Sequence, residues 1–193
     1  MKSVKLIGFE QSTLTNEIKC ILANSNVVAD VVSPADFFAI TDHSNNCYLN
    51  TVTRDRVLRN EISNYLDSRL LPLHTFIHPT AYVCSTATIS AGVFIGPFAG
   101  VFMHAIINAH VILAPYTQCS HYSVINKNSE LFPRAAIAGH SIIGENCLIG
   151  MNSTITDHVI VCDNVFIGAN SAVSKNITTP GKYIGFPRAR KCA

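Results

Sequence analysis

Stepping along the chain six residues at a time from Ile77 meets an aliphatic side chain almost without fail. The series opens Ile77, Val83, Ile89, Ile95, Val101 and closes Ile149, Ile155, Val161, Ile167, Val173. Sixteen of its seventeen positions are Ile, Leu or Val, and the other, Cys119, is itself apolar. Two places before each aliphatic residue, from Ala81 to Ser171, stands a small one: Ala, Val, Thr, Ser or Cys. Residues two apart on a strand point the same way, so both columns face one interior. A Gly directly after the aliphatic residue, as at Gly96, Gly144, Gly150 and Gly168, or an Asn soon after it, suits a corner at φ > 0. Six residues then make one short strand and one corner, and three such units close a triangular coil. Coils stack about 4.8 Å apart with strands paired in parallel. The period predicts a parallel β-helix over residues 75–180, with the solenoid logic of repeats that contact only their neighbours. It leaves the hand of the coil open.

This reading settles two compositional questions. The stretch Ile89–Ile107 is apolar enough to suggest a membrane helix, but Gly92, Gly96, Pro97 and Gly100 suit a helix poorly, and the repeat accounts for the apolarity. Hydrophobic residues make up 48% of the 193 and charged residues only 13%. Outer walls this poor in charge predict partner subunits. The net charge is +2 and the 14 basic residues form no dense stripe, which argues against nucleic acid. The seven cysteines are odd in number and contain no CxxC pair. No basic segment followed by a long apolar run opens the chain. They read as reduced, small apolar residues of a cytoplasmic protein.

Residues 1–74 follow other periods and predict a small α/β domain. Val4 to Gly8 reads as a buried strand, Val27 to Val32 as a second and Cys47 to Val52 as a third. Thr15 is placed to cap a helix carrying Ile18, Ile21 and Leu22, and Thr53 to start one carrying Val57, Leu58, Ile62, Tyr65, Leu66 and Leu70. The first loop, Gly8-Phe9-Glu10-Gln11-Ser12-Thr13, lacks the G-x-G-x-x-G of dinucleotide sites. It reads either as a structural turn or as a cradle for a nucleotide sugar at the sheet's carboxyl edge.

A small α/β domain, then Ile77-His78-Pro79-Thr80-Ala81, unbroken hexapeptides, and a closing Gly185-Phe186-Pro187-Arg188-Ala189-Arg190 together resemble the NeuD/PglD-type sugar O-/N-acyltransferases. The resemblance implies a left-handed β-helix, acetyl-CoA as co-substrate, a sialic acid or nucleotide-linked amino sugar as acceptor, and a homotrimer without metal. It places the catalytic base on His121, with Tyr122 where the family carries a partner carboxylate and Glu130 where some relatives carry a second active-site His. It assigns coenzyme contacts to Gly139, His140, Met151, Gly168, Ala169, Arg188 and Arg190, the last two in the tail 181–193, and substrate contacts to Gly8 and Phe9. A neutral imidazole suits proton abstraction from an amine or hydroxyl, and a carboxylate beside it would orient the ring. Tyr122 cannot supply that charge, so the substitute is Glu130, a group from a neighbouring subunit, or nothing. Cys119 is an unsuitable nucleophile, since its register turns it into the core.

His104, Tyr122, His140 and His158 stand 18 apart and predict a ring column on one outer edge. Three readings stay open: stacking at a subunit interface, a strip lining the substrate beside His121, and a metal site. Arg188, Arg190 and Lys191 read as partners for coenzyme phosphates or as a solvated basic tail. Two alternatives to the transferase remain: a binding or scaffold protein that lost the carboxylate beside His121, and a zinc enzyme resembling the γ-carbonic anhydrases.

Overall fold

The computed structural model describes residues 3–185 and the backbone of 190–191. The chain divides into two compact units, Met1–Phe76 and Ile77–Ala193.

In the first unit a three-stranded parallel sheet has β1 (Ser3–Ile7) between β2 (Ala29–Val32) and β3 (Asn46–Asn50). Helix α1 (Thr13–Asn24) links β1 to β2; α2 (Pro34–Ala39) and α3 (Arg56–Ser68) flank β3 in sequence. The caps differ from those expected. Ser12, not Thr15, caps α1, its hydroxyl accepting from Thr15 N–H, so Thr15 lies inside the first turn. Asp55, not Thr53, caps α3, with its carboxylate on Leu58 N–H. A carboxylate at the N-cap also meets the positive end of the helix dipole. The sequence reading missed α2, which Ser33 caps and Pro34 begins, because six residues are too few to show a period. Its Phe37 joins Ile7, Tyr48, Val52, Ile62 and Leu66 in this unit's core.

From Phe76–Ile77 to Ala172–Val173 run seventeen short strands in three parallel sheets. Register pairs residues 18 apart, Ile112 with Glu130 and Leu113 with Leu131 on one wall, Cys119 with Ile137 on the next, Ile125 with Ile143 on the third. We call these the first, second and third walls in chain order from Phe94–Ile95, Gly100–Val101 and Ile106–Ile107. The aliphatic column is fully buried from Ile95 onward, and the small column from Val93 to Val165 is buried with it. In the first coil Ile77 is 43% exposed. No helix among the described residues is long and apolar enough to cross a membrane.

The corners correct the expectation for glycine. Positive φ falls three places after each aliphatic residue from Ile95, on Phe98, His104, His110, Tyr116, Tyr122, Asn128 and so on to Asn170. The glycines directly after the aliphatic residues have ordinary φ and serve clearance between coils. A Cβ on Gly150 would lie 2.6 Å from the Ala169 nitrogen and the Ile167 oxygen, and one on Gly144 would lie 2.5 Å from the Asp163 nitrogen.

Candidate active site

The edge joining the second and third walls carries residues 102–104, 120–122, 138–140 and 156–158 on successive coils. Backbone bonds run from coil to coil along it: Tyr122 N–H donates to Met103 O, His140 N–H to His121 O and His158 N–H to Gly139 O, each at 3.0 Å. His104, Tyr122, His140 and His158 share one left-handed conformation, with φ between 55° and 59°. Asn, Asp and His are enriched there among non-glycine residues. Identical dihedrals at the spacing of parallel strands stack the rings. Centroids are 4.9 Å apart for His104 and Tyr122, 5.0 Å for Tyr122 and His140, and 4.7 Å for His140 and His158; the last two pairs are near parallel. The expected column therefore exists. At its upper end Asp157 Oδ2 lies 2.5 Å from His158 Nδ1.

His121 is exposed and stands beside this column. Its ring is close to perpendicular to both neighbours, 73° to His140 at 5.2 Å and 78° to Tyr122 at 6.1 Å. Its nitrogen-bearing edge turns toward Gly139, one coil above. A Cβ on Gly139 would sit against His121 Cε1 and 2.8 Å from both ring nitrogens. Only glycine leaves room for this imidazole. Gly139 N–H donates no hydrogen bond among the described residues, and Gly139 itself is buried beside the exposed His121. Asp157 occupies the same corner position as His121 two coils higher, with Gly139 between. It was missed in the sequence, although adding 36 to 121 finds it.

The other expected site residues lie elsewhere. Glu130 is on the first wall, across the prism from the edge that carries His121. Alternation with core Leu131 sends it to the outer face, where it is buried in register between Ile112 and Leu148. The protomer does not bring it to His121. Met151 and Ala169 sit at the edge between the first and second walls, and Met151 is exposed. The space above Gly168 is filled by its own chain: a Cβ there would meet Ile184 Cγ2, and Gly168 N–H donates to Tyr183 O at 2.8 Å. Arg188 is outside the described residues, and Arg190 is described by its backbone alone, paired with Ile184. In the first unit, Gly8 is packed under two hydroxyls, Thr51 Oγ1 and Thr15 Oγ1, that a Cβ would strike. Phe9 is 43% exposed.

Cys119 lies in the core, fully buried, and desolvation pushes its thiol up to about 12. A thiolate there is out of reach at neutral pH. Among the described residues no three His, Cys, Asp or Glu side chains are grouped to hold a metal ion.

Residues 122–157 and 140–175 match the family profile described as bacterial transferase hexapeptide, six repeats. No curated protein matches the chain significantly in sequence. Solved structures match it over its whole length. The acetyltransferase domain of PglB from Neisseria gonorrhoeae superposes with a TM-score of 0.86 at 18% identity, covering 97% of this chain and 99% of that one. PerB from Caulobacter crescentus, solved with CoA and GDP-perosamine, gives 0.86 at 17% identity, covering 100% and 98%. WeeI from Acinetobacter baumannii gives 0.65 at 13% identity, with both chains fully covered. Identities this low establish the fold: a hexapeptide-repeat, left-handed parallel β-helix preceded by a short α/β unit.

Proposed function

We propose that this hexapeptide-repeat protein transfers the acetyl group of acetyl-CoA to a hydroxyl or amine of a sugar, with His121 as general base. The observation that carries the reading is the exposed His121 with its nitrogen-bearing side turned onto Gly139, a residue whose N–H has no partner among the described residues. The fold adds support, because PerB shares it and was solved with CoA and a nucleotide-linked sugar. His121 takes the acceptor's proton as the acceptor nitrogen or oxygen bonds to the thioester carbonyl carbon. Gly139 N–H donates to the carbonyl oxygen as that oxygen gains charge. His121 then returns the proton to the sulfur as the carbon–sulfur bond breaks, leaving CoA as the free thiol.

The working unit is a homotrimer in this reading. The third wall presents an aliphatic stripe, with Ile106 and Ile160 exposed and Val124 and Ile142 half-buried between them. Met151 and Ala169, on a different edge from His121, would complete the coenzyme site from a neighbouring copy, with Arg188 and Arg190 near its phosphates. Gly8 and Phe9 would meet the acceptor. We place the reaction in the cytoplasm, in the assembly of a glycan or surface polysaccharide from an activated sugar.

Acetyl transfer to 4-amino nucleotide sugars and to sialic acid tests the proposal. His121→Ala should lower kcat by about 10²–10⁴. Equal rates for the two proteins would remove His121 from the mechanism. One observation favours a second reading, a binding or scaffold protein: Tyr122 stands where a carboxylate would orient the base. No turnover with any acceptor, together with no acetyl-CoA binding by calorimetry, would favour it.

A further inference from the structure

A general-base imidazole is commonly held in place by a carboxylate on its second nitrogen. His121 has none. Neither of its ring nitrogens bonds to a described residue. Its neighbour in sequence is Tyr122. Asp157, on the same edge, is engaged with His158. Yet the ring is not free to swing. Gly139 receives it from above, and Tyr122 and His140 stand beside it at near right angles.

Those two rings are themselves fixed. They lie 5.0 Å apart and 8° from parallel, and their backbones share the corner conformation that the coil repeats. His158 stacks on His140 at 4.7 Å, and Asp157 pins His158 in turn. The column is thus a continuous stack of rings whose last member, His158, is hydrogen-bonded to Asp157. The orientation it leaves to His121 is the one that turns its nitrogen-bearing edge onto the Cα face of Gly139.

Resting on the reading of His121 as the base, we propose that the stacked Tyr122–His140 pair is its positioning element, doing by ring packing what a carboxylate does elsewhere by hydrogen bonding. His140 is the critical member, since it is the nearer ring and links His121 to the Asp157 anchor. It acts through His121 and need not touch the reacting atoms. Two rings that meet at right angles at about 5 Å are in a favoured aromatic arrangement. A base displaced by about an ångström loses rate steeply.

Two substitutions separate packing from other roles. His140→Asn removes the ring and keeps a residue suited to this corner, as Asn152 and Asn170 are at their own. His140→Phe keeps a ring and removes its nitrogens, and Phe98 already holds an equivalent corner. Both are made in the full chain, with circular dichroism and thermal melting to check folding. The readouts are kcat, KM for each substrate, and the Cε1–H resonance of His121 in protein carrying 13C-labelled histidine, assigned through His121→Gln. His140→Asn should lower kcat by about tenfold or more, leave both KM values within about twofold, and move or broaden the His121 resonance. His140→Phe should recover most of kcat and keep the resonance near its wild-type position.

Wild-type kcat and an unmoved resonance in His140→Asn would overturn the proposal. So would a His140→Phe protein as impaired as His140→Asn, which would assign the role to the ring nitrogens. A raised KM for acetyl-CoA at constant kcat would make His140 a coenzyme contact instead. If the wild-type protein transfers nothing, the function fails but the resonances still decide. Displacement in His140→Asn without displacement in His140→Phe upholds the positioning, and no displacement in either defeats it.

Discussion

The two units of this chain bury their cores by different means. In the β-helix each coil repeats the same few roles: an inward aliphatic residue, an inward small one, an outward residue and a corner. Its contacts join residues 18 apart, rung after rung. In the first unit hardly a role recurs. Phe37 packs edge-on against both Tyr48 and Tyr65, with ring centres 5.2 and 5.4 Å away. Arg59 is buried and donates through Nη1 to Asn50 O and Val52 O. A repeated role is written many times in the sequence, whereas a unique contact is written once. The difference predicts where substitutions in the helix should follow position in the repeat, and where those in the first unit should follow individual partners.

The largest effect is expected from breaking the inward column. Ile137 is fully buried, with Cys119 and Ile155 in register on either side. Ile137→Ala should cost about 2–5 kcal/mol, the loss of buried methyl groups plus the cavity they leave. Urea unfolding followed by circular dichroism measures it. A cost below about 1 kcal/mol would mean that the rungs close over the gap, and that the column matters less than its regularity suggests.

The walls of the helix were legible because period and facing are one piece of information: a residue's place in the hexapeptide decides whether it meets the interior. Dihedral angles are not fixed that way. The sequence points to glycine or asparagine for the corner; asparagine does hold φ > 0, at Asn128, Asn146, Asn152, Asn164 and Asn170, but so do His, Tyr, Phe and Arg, and the glycines directly after the aliphatic residues do not. In the first unit the helices were visible from their apolar faces, but their starts were not. Several oxygen-bearing residues compete for each cap, and only geometry decides between Ser12 and Thr15 or between Asp55 and Thr53. The site divides likewise. His121 stands out by resemblance, and Gly139 and Asp157 follow from counting coils. That Glu130 faces another wall was open to the same count, since it precedes Leu131, two hexapeptides after Cys119; that Gly139 must lack a Cβ needed coordinates.

The next effects sharpen the corner assignment. Gly150→Ala places a Cβ 2.6 Å from backbone atoms of the coil above, which cannot turn aside as a side chain can. It should cost about 1–3 kcal/mol, as overpacking does. Asn152 has φ 56° and is exposed. Asn152→Ala should cost about 1 kcal/mol, because a Cβ without a polar group is disfavoured in the left-handed region, while Asn152→Gly should be neutral or slightly stabilising. Thermal melting of the three proteins decides. If Gly150→Ala is silent and Asn152→Gly is harmful, the roles given to glycine and asparagine are reversed.

The smallest effect tests the first unit, where single partners should count and sequence type should not. Thr53 and Asp55 both look like caps for α3. The carboxylate of Asp55 accepts from Leu58 N–H at 3.0 Å, and its carbonyl accepts from Arg59 N–H at 2.9 Å. Thr53 Oγ1 is buried with no hydrogen-bond partner among the described residues, so its hydroxyl gives α3 nothing. Asp55→Ala should therefore cost about 1 kcal/mol, and Thr53→Ala should stay within about 0.5 kcal/mol of wild type. Urea unfolding measures both differences. A larger loss at Thr53 than at Asp55 would restore the cap first read from the sequence, and would show that one hydrogen bond is too weak a guide to where a helix in this unit begins.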